Sequence, residues 1–347
     1  MRISRRMFII TRSFAALVAA AGMVLIASLA HAQDKISIRF IMDWAFEGAQ
    51  AIWPAAADSG CFEAHNLEVK IDRSYGSGDA LSKLASGAYD IAVADFTSLV
   101  NFNAMHPEEG VIATLVISER SAMSVVTLKG RNIAKPQDLV GKRLADAVGE
   151  ASRVMFPAFA KANGIDPNSV SWVSVTPNLR QPVLLKGEAD AAAGHVFTIR
   201  LGLRALNVKD EDMVFLPYAS WGVRAFGNSV VVKRQWAQAH PGAMRAFVGC
   251  AVVGIKNSIA NPKAAIASLK KYNTLVDEPL ELEGLKFSTN DAVLTDVVRK
   301  NGLSTFTNER LDQILTQISD ALGVKKPAAG DIWVPDYLPA KEELKLQ

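Results

Sequence analysis

The chain is 347 residues long and carries 38 Lys and Arg against 35 Asp and Glu, a formal net charge of +3. Four of the basic residues, Arg2, Arg5, Arg6 and Arg12, stand in the first 32 positions, where there is no acid, so the remaining 315 residues carry 34 basic and 35 acidic side chains. That near neutrality, without a Lys/Arg stripe interleaved with aromatics, leaves no electrostatic footprint for nucleic acid, and 315 residues are ample for two lobes with separate cores.

The N-terminal arginines lead into an apolar run of 16 residues from Phe14 to Leu29, and Ala30-His31-Ala32 supplies small residues at a cleavage point. This is the pattern of a secretory signal peptide over residues 1–32. The run is shorter than the roughly 20 residues that span a bilayer. Ser4-Arg5-Arg6-Met7-Phe8 also resembles a twin-arginine export signal, although Ile10 stands where such signals often carry Lys, so the Sec and twin-arginine routes both stay open. No Cys follows the run, so no lipid anchor is implied, and the expected location is the periplasm.

Next, "KISIRFIMDW" alternates apolar and polar residues over Ile36, Ile38 and Phe40, which predicts a first strand ending near Asp43. A helix is expected over 47–59 and a second strand over 67–72. The stretch "SYGSGDALSKLASGAYDIAVAD", residues 74–95, opens on a glycine-flanked loop. Ala80, Leu81, Leu84, Ala85 and Ala88 then recur on one helical face, and a fully apolar strand ends at Asp95. Gly76, Ser77, Gly78 and Asp79 form a helix-start binding loop, but no Gly-Lys-Ser/Thr follows, so it is not a Walker loop. Asp95 either faces a cleft or caps the helix that begins near Thr97. Alternating strands and helices predict a parallel α/β sheet.

"LASGAYDIAVADF" at 84–96 is echoed by "LLKGEADAAAGHVF" at 184–197, with Gly87 matched by Gly187 and Asp90 by Asp190. Two similar lobes are the simplest account. A second helix-start loop, Gly149, Glu150, Ala151 and Ser152, precedes the second copy. Ser152 is a hydrogen-bond donor or an N-cap, and Glu150 an acceptor for a ligand N–H. β-rich segments near 111–128 and 225–234 read as crossovers, which gives lobe 1 as 33–123 plus 227–347 and lobe 2 as 124–226. From Gln235 onward the pattern is mainly helical. Cys61 and Cys250 could be joined in an exported protein; two buried free thiols are the favoured alternative, because a chain this long does not need a staple. The five His residues have no ligand-like spacing, so no metal site is implied. G-x-S-x-G, H-E-x-x-H and C-x-x-C are missing.

Taken together, "MDWAFEGAQAIWPAAADSGCFEAHNLEVKIDRSYGSGDALSKLASGAYDIAVADF", "GKRLADAVGEASR" and "YASWGVRAFGNSVVV" resemble the periplasmic solute-binding proteins of ABC importers, in the nitrate/sulfonate/taurine and thiamine-pyrimidine-precursor group, across residues 36–335. The resemblance implies a type II two-lobed α/β fold hinged on two crossover strands, closing on a ligand in the cleft. It further implies a monomer without catalysis or cofactor that delivers a small molecule to a permease and its cytoplasmic ATPase. Asp43-Trp44 match the Asp-Trp of the pyrimidine-binding branch, where the aromatic ring stacks on a flat ligand. That branch continues with Pro-Asn and a His seven residues past the Asp. Here Phe46, Glu47 and Gln50 stand instead, which puts a thiamine pyrimidine in doubt. His195, Tyr218 and Trp221 are expected as a cleft wall, and Arg120 is either a cation for an anionic ligand or a hinge salt bridge.

Asp43, Asp95 and Glu150 would repel a sulfonate or nitrate unless paired. The preferred ligand is therefore a flat heterocyclic or aromatic compound bearing N–H donors, or a cation. The alternatives are a nitrate, sulfonate or taurine-type anion, and a ligand-sensing protein that docks on a membrane receptor. Eukaryotic relatives that make the thiamine pyrimidine use a histidine and a cysteine-rich motif. Gln50 and a total of two cysteines argue against that enzyme.

Overall fold

A computed structural model describes residues 35–346; the expected signal peptide, 1–32, lies outside the described residues. Strands β1 (Ile36–Ile41), β2 (Leu67–Asp72), β3 (Ile91–Asp95), β4 (Val111–Val116) and β10 (Asn228–Lys233) form one five-stranded sheet, in the order β2-β1-β3-β10-β4. A second sheet has the order β7-β6-β8-β5-β9, from β5 (Met123–Leu128), β6 (Arg143–Asp146), β7 (Ser171–Ser174), β8 (Ala191–His195) and β9 (Met213–Pro217). The two orders are the same, and helices pack on the sheets.

The expected parallel sheet needs correcting. β1 is parallel to β2 and β3, and β6 to β7 and β8, but β10 and β5 each run antiparallel to both of their neighbours. Helical connections enforce parallel pairing only within a βαβ unit. β5 and β10 arrive from the opposite lobe instead, through the connections 117–122 and 218–227, and so enter against the local direction. These connections bond to each other: Gly227 N–H donates to Ser118 O at 2.8 Å, and Ser121 N–H to Ala225 O at 2.9 Å. The result is a paired hinge.

The sequence echo corresponds to one local design used twice. Asp90 accepts from the backbone N–H of Arg39 at 2.8 Å and from both ends of its guanidinium, at 3.0 and 2.6 Å. Asp190 holds Arg143 in the same way, at 2.8, 3.1 and 3.0 Å. Gly87 and Gly187, at φ 76° and 75°, make the left-handed turns that feed the two strands.

Two thiols were expected at Cys61 and Cys250; the structure joins them in a disulfide with a Cα–Cα distance of 5.6 Å. Chain length speaks to whether a staple is needed, not to whether two cysteines meet. Phe62, one residue after Cys61, stacks on Phe247 of the long helix Pro241–Ala260 at 5.6 Å, and this packing brings the sulfurs together. Phe40 and Trp53 extend the same aromatic cluster beneath the first sheet. Such side chains each contribute about 1.5–3 kcal/mol on full burial.

Candidate ligand-binding cleft

The two glycine-bearing loops meet face to face. Gly78 N–H donates to Gly149 O at 3.2 Å, and a Cβ on Gly78 would lie 2.7 Å from that oxygen. The lobes are therefore closed on each other. Glycine at 78 permits backbone to approach backbone. Ser77 stays inside its own lobe, where its hydroxyl accepts the Asp95 N–H at 2.9 Å and ties the loop to the end of β3.

Asp95 is a helix cap. Its Oδ1 caps the helix Phe96–Met105, accepting from Thr97 N–H at 2.8 Å and Ser98 N–H at 3.4 Å, while its buried Oδ2 has no partner. Asp43, just past β1, accepts from Asn228 Nδ2 at 2.7 Å through one oxygen and leaves Oδ1 unpaired. Gln50 lies beside Asp43, and its Oε1 is likewise buried and unpaired. Across the cleft Glu150 precedes the helix Ala151–Ala162 without capping it, so its carboxylate is free to reach Gly76, and Oε2 has no partner.

Ser152 is neither an N-cap nor a free donor. Its hydroxyl donates to Asp146 Oδ2 at 2.5 Å, and Asp146 also accepts the Ala147 N–H at 2.8 Å. Asp146 thus supports a side chain that pattern reading missed, Arg180, which is 1% exposed and has Nη2 3.1 Å from Asp146 Oδ1. The Arg180 guanidinium lies 5.4 Å from the ring centroid of Trp44, in the opposite lobe. Trp44 Nε1 and Arg180 Nε are both buried without partners. Buried polar atoms are normally satisfied, and here several unpaired ones gather on both sides of the cleft.

The remaining candidates sort by position. His195 ends β8, stacks on Phe197 at 5.1 Å, and shares with Asp43, Gln50 and Asn228 an inner cavity of about 40 Å³. Tyr218 is corrected to a core residue: fully buried, it stacks on Phe159 at 4.5 Å and donates to Ser152 O at 3.1 Å. Trp221 also leaves the cleft wall, packing against the hydrophobic core with its carbonyl accepting from Asn163. Both follow β9 on the side of the sheet covered by helix Ala151–Ala162, which turns their rings inward. Arg120 is the hinge salt bridge, with Nη2 2.7 Å from Asp291 Oδ1.

Burial governs the charge state. It raises Asp43 to about 6, opposed by the hydrogen bond from Asn228 and the neighbouring Gln50 amide, and Asp95 to about 7, opposed by the two capping N–H groups. Asp146 and Glu150 are raised by burial as well, and Arg180 pulls both back. His195 is lowered to about 4 by burial and by Arg180, so its imidazole is neutral near pH 7. On the outer side of Trp44 a cavity of about 660 Å³ is lined from both lobes, by Glu47, Arg73 and Tyr75 on one side and Gln181 and Leu206 on the other. The inner cavity, by contrast, holds no more than a water molecule or so.

The profile of a family described as NMT1/THI5 like matches residues 51–265. The chain belongs to the NMT1/THI5-like family. This NMT1/THI5-like chain is 27% identical over 277 residues to a Haemophilus influenzae protein named for thiamine biosynthesis, covering 74% of this chain and 85% of that one. It is also 27% identical over 195 residues to the taurine-binding periplasmic protein of Escherichia coli, 55% of this chain and 58% of that one. Among solved structures, it matches the alkanesulfonate-binding protein SsuA from Xanthomonas axonopodis with a TM-score of 0.67 at 14% identity, over 88% of this chain and 99% of that one. A Candida albicans protein with the generic periplasmic binding protein fold matches with a TM-score of 0.63 at 20% identity, over 90% and 97%. At these identities the two structures speak for the fold, a two-lobed periplasmic binding protein.

Proposed function

We propose that the protein is the solute-capturing component of an ABC importer, and that it holds a small flat heterocycle rich in N–H donors, neutral or cationic, between its lobes for delivery to a membrane permease. The observation that carries this reading is the ring of buried, half-satisfied carboxyls, Asp43, Asp95 and Glu150, around an interlobe cleft that also contains Trp44. Each presents an oxygen that an N–H of a ligand would satisfy, and the indole offers a flat face. Capture and release without chemistry fit the disulfide, which uses both cysteines, and Gln50, an amide where the related biosynthetic enzymes place histidine.

A second reading is capture of a sulfonate, and one observation favours it: Arg180 is a buried cation with an unpaired Nε–H. The carboxyls of Glu47, Asp146 and Glu150 beside that guanidinium weigh against it, because an added anion would meet like charge unless they are protonated.

The deciding experiment is a thermal-shift screen of residues 33–347 against heterocycles, amines, aromatic acids, sulfonates and nitrate. A ligand that binds only the folded state raises the melting temperature by mass action. Stabilisation by N–H-bearing heterocycles supports the first reading. Stabilisation by sulfonates alone removes it in favour of the second.

A further inference from the structure

We infer that Arg180 and Gly194 act together as an acceptor-reading element in the second lobe, so that the solute must present a hydrogen-bond-accepting edge as well as N–H donors. This rests on the heterocycle reading of the cleft and adds to it which second edge the ligand carries.

The repeat supplies the first argument. With Gly187 aligned on Gly87, Arg180 falls on Ala80 and Gly194 on Ala94, both fully buried alanines in the first lobe. The second lobe thus has a large cation where the first has a methyl group, and no side chain where the first has another methyl. The two departures compensate in space. A Cβ on Gly194, whose φ is 156°, would lie 2.0 Å from Arg180 Nη1 and 3.0 Å from its Cζ. The guanidinium rests on bare β8 backbone.

A purely structural arginine would spend its donors on the protein. Arg180 instead has Nη2 3.1 Å from Asp146 Oδ1 and leaves both Nε–H and Nη2–H without a hydrogen-bond partner, 99% buried, with Trp44 of the other lobe 5.4 Å away. Asp146 is itself held by Ser152 and Ala147 N–H, so the negative charge facing the guanidinium is fixed in place. A planar fork with a free N–H beside an indole face is suited to a ring carbonyl, a ring nitrogen or a carboxylate on a flat molecule. The carboxyls of Glu150 and Asp95 then take the ligand's N–H edge.

The test is calorimetric titration of residues 33–347 with three flat probes: cytosine, with amine and carbonyl edges; benzamidine, with N–H donors only; and benzenesulfonate, with acceptors only. Arg180→Lys retains the charge needed by Asp146 but loses the fork, and Gly194→Ala displaces the fork without altering any charge. The expected result is that parent protein binds cytosine, that each variant weakens cytosine at least tenfold, and that benzamidine affinity changes less than threefold. Equal losses for cytosine and benzamidine would reduce Arg180 to a packing role and overturn the inference, as would unchanged cytosine affinity in folded variants. Binding of benzamidine but not cytosine overturns the inference and leaves the N–H reading standing. Binding of benzenesulfonate alone, or of none of the three, overturns both.

Discussion

Glu150 Oε2, in one lobe, occupies the space into which a side chain on Gly76 of the other lobe would grow: a Cβ there would lie 2.5 Å from it. A methyl group added there obliges the Glu150 carboxylate to shift in the closed state. Gly76→Ala, at φ 126°, both strains the loop and pushes Glu150 away, disfavouring the closed state by about 1–3 kcal/mol. Small-angle scattering should show a larger radius of gyration than the parent, and ligand affinity should fall roughly tenfold. Gly60→Ala is the control, since its φ of 74° imposes backbone strain but no atom lies within 4 Å of the added carbon. An equally expanded Gly60→Ala would show that strain alone, not the contact, opens the cleft.

Trp44 approaches Arg180 of the other lobe at 5.4 Å and lines the larger interlobe cavity. Trp44→Ala should weaken ligand binding by about tenfold or more, consistent with loss of an aromatic stack, while circular dichroism stays that of the parent. Unchanged affinity would remove Trp44 from the site.

The carboxyls predict an inverse pH dependence of stability. Asp43 and Asp95 hold protons up to about 6 and about 7 when folded, against 3.8 ordinarily, and Asp146 and Glu150 shift in the same direction. Between about pH 4 and about pH 7 the folded state binds more protons than the unfolded one, so stability falls as pH rises through that window. His195, lowered from 6.5 to about 4, acts oppositely, losing stability as pH falls. Glu47, raised to about 7, and Glu281 join the raised carboxyls, and together they outweigh one imidazole. Calorimetry should give a higher melting temperature near pH 5 than near pH 8. Asp95→Asn, which retains a capping oxygen, should flatten that slope and stabilise the protein at pH 8.

The disulfide spans 189 residues of sequence, and loop-closure entropy assigns about 5 kcal/mol to so long a ring. Cys250→Ser should lower the melting temperature without changing ligand affinity, because both cysteines lie in the aromatic cluster of the first lobe. A loss of affinity with unchanged melting temperature would contradict this.

Much of the scaffold is legible from local pattern. The second strand at 67–72 and the strand end at Asp95 follow from alternation and apolar runs, which local backbone geometry obeys. The echo of Asp90 in Asp190 is legible because each must hold an arginine of the neighbouring strand. Antiparallel β5 and β10 are not legible, since their direction is set by which lobe they come from. Tyr218 and Trp221 look like cleft residues from their place beside the crossover, yet side-chain direction there depends on which face a helix covers. Arg180 carries a signal that only aligning the repeat exposes: a charge where the other copy has a buried alanine. The disulfide has no local signal, because its partners are joined by packing of segments far apart in the chain.

The exchange of β10 into the first sheet also sets an order of assembly. Residues 36–116 contribute four strands, but β3 and β4 are not adjacent; the gap between them is filled only by Asn228–Lys233. Every strand of the second sheet lies within 123–217. On a chain emerging from its N-terminus, the lobe that begins first waits with open strand edges until the other has been made. The later sheet has all its strands by then, and the strand that returns from it is the piece that completes its older neighbour.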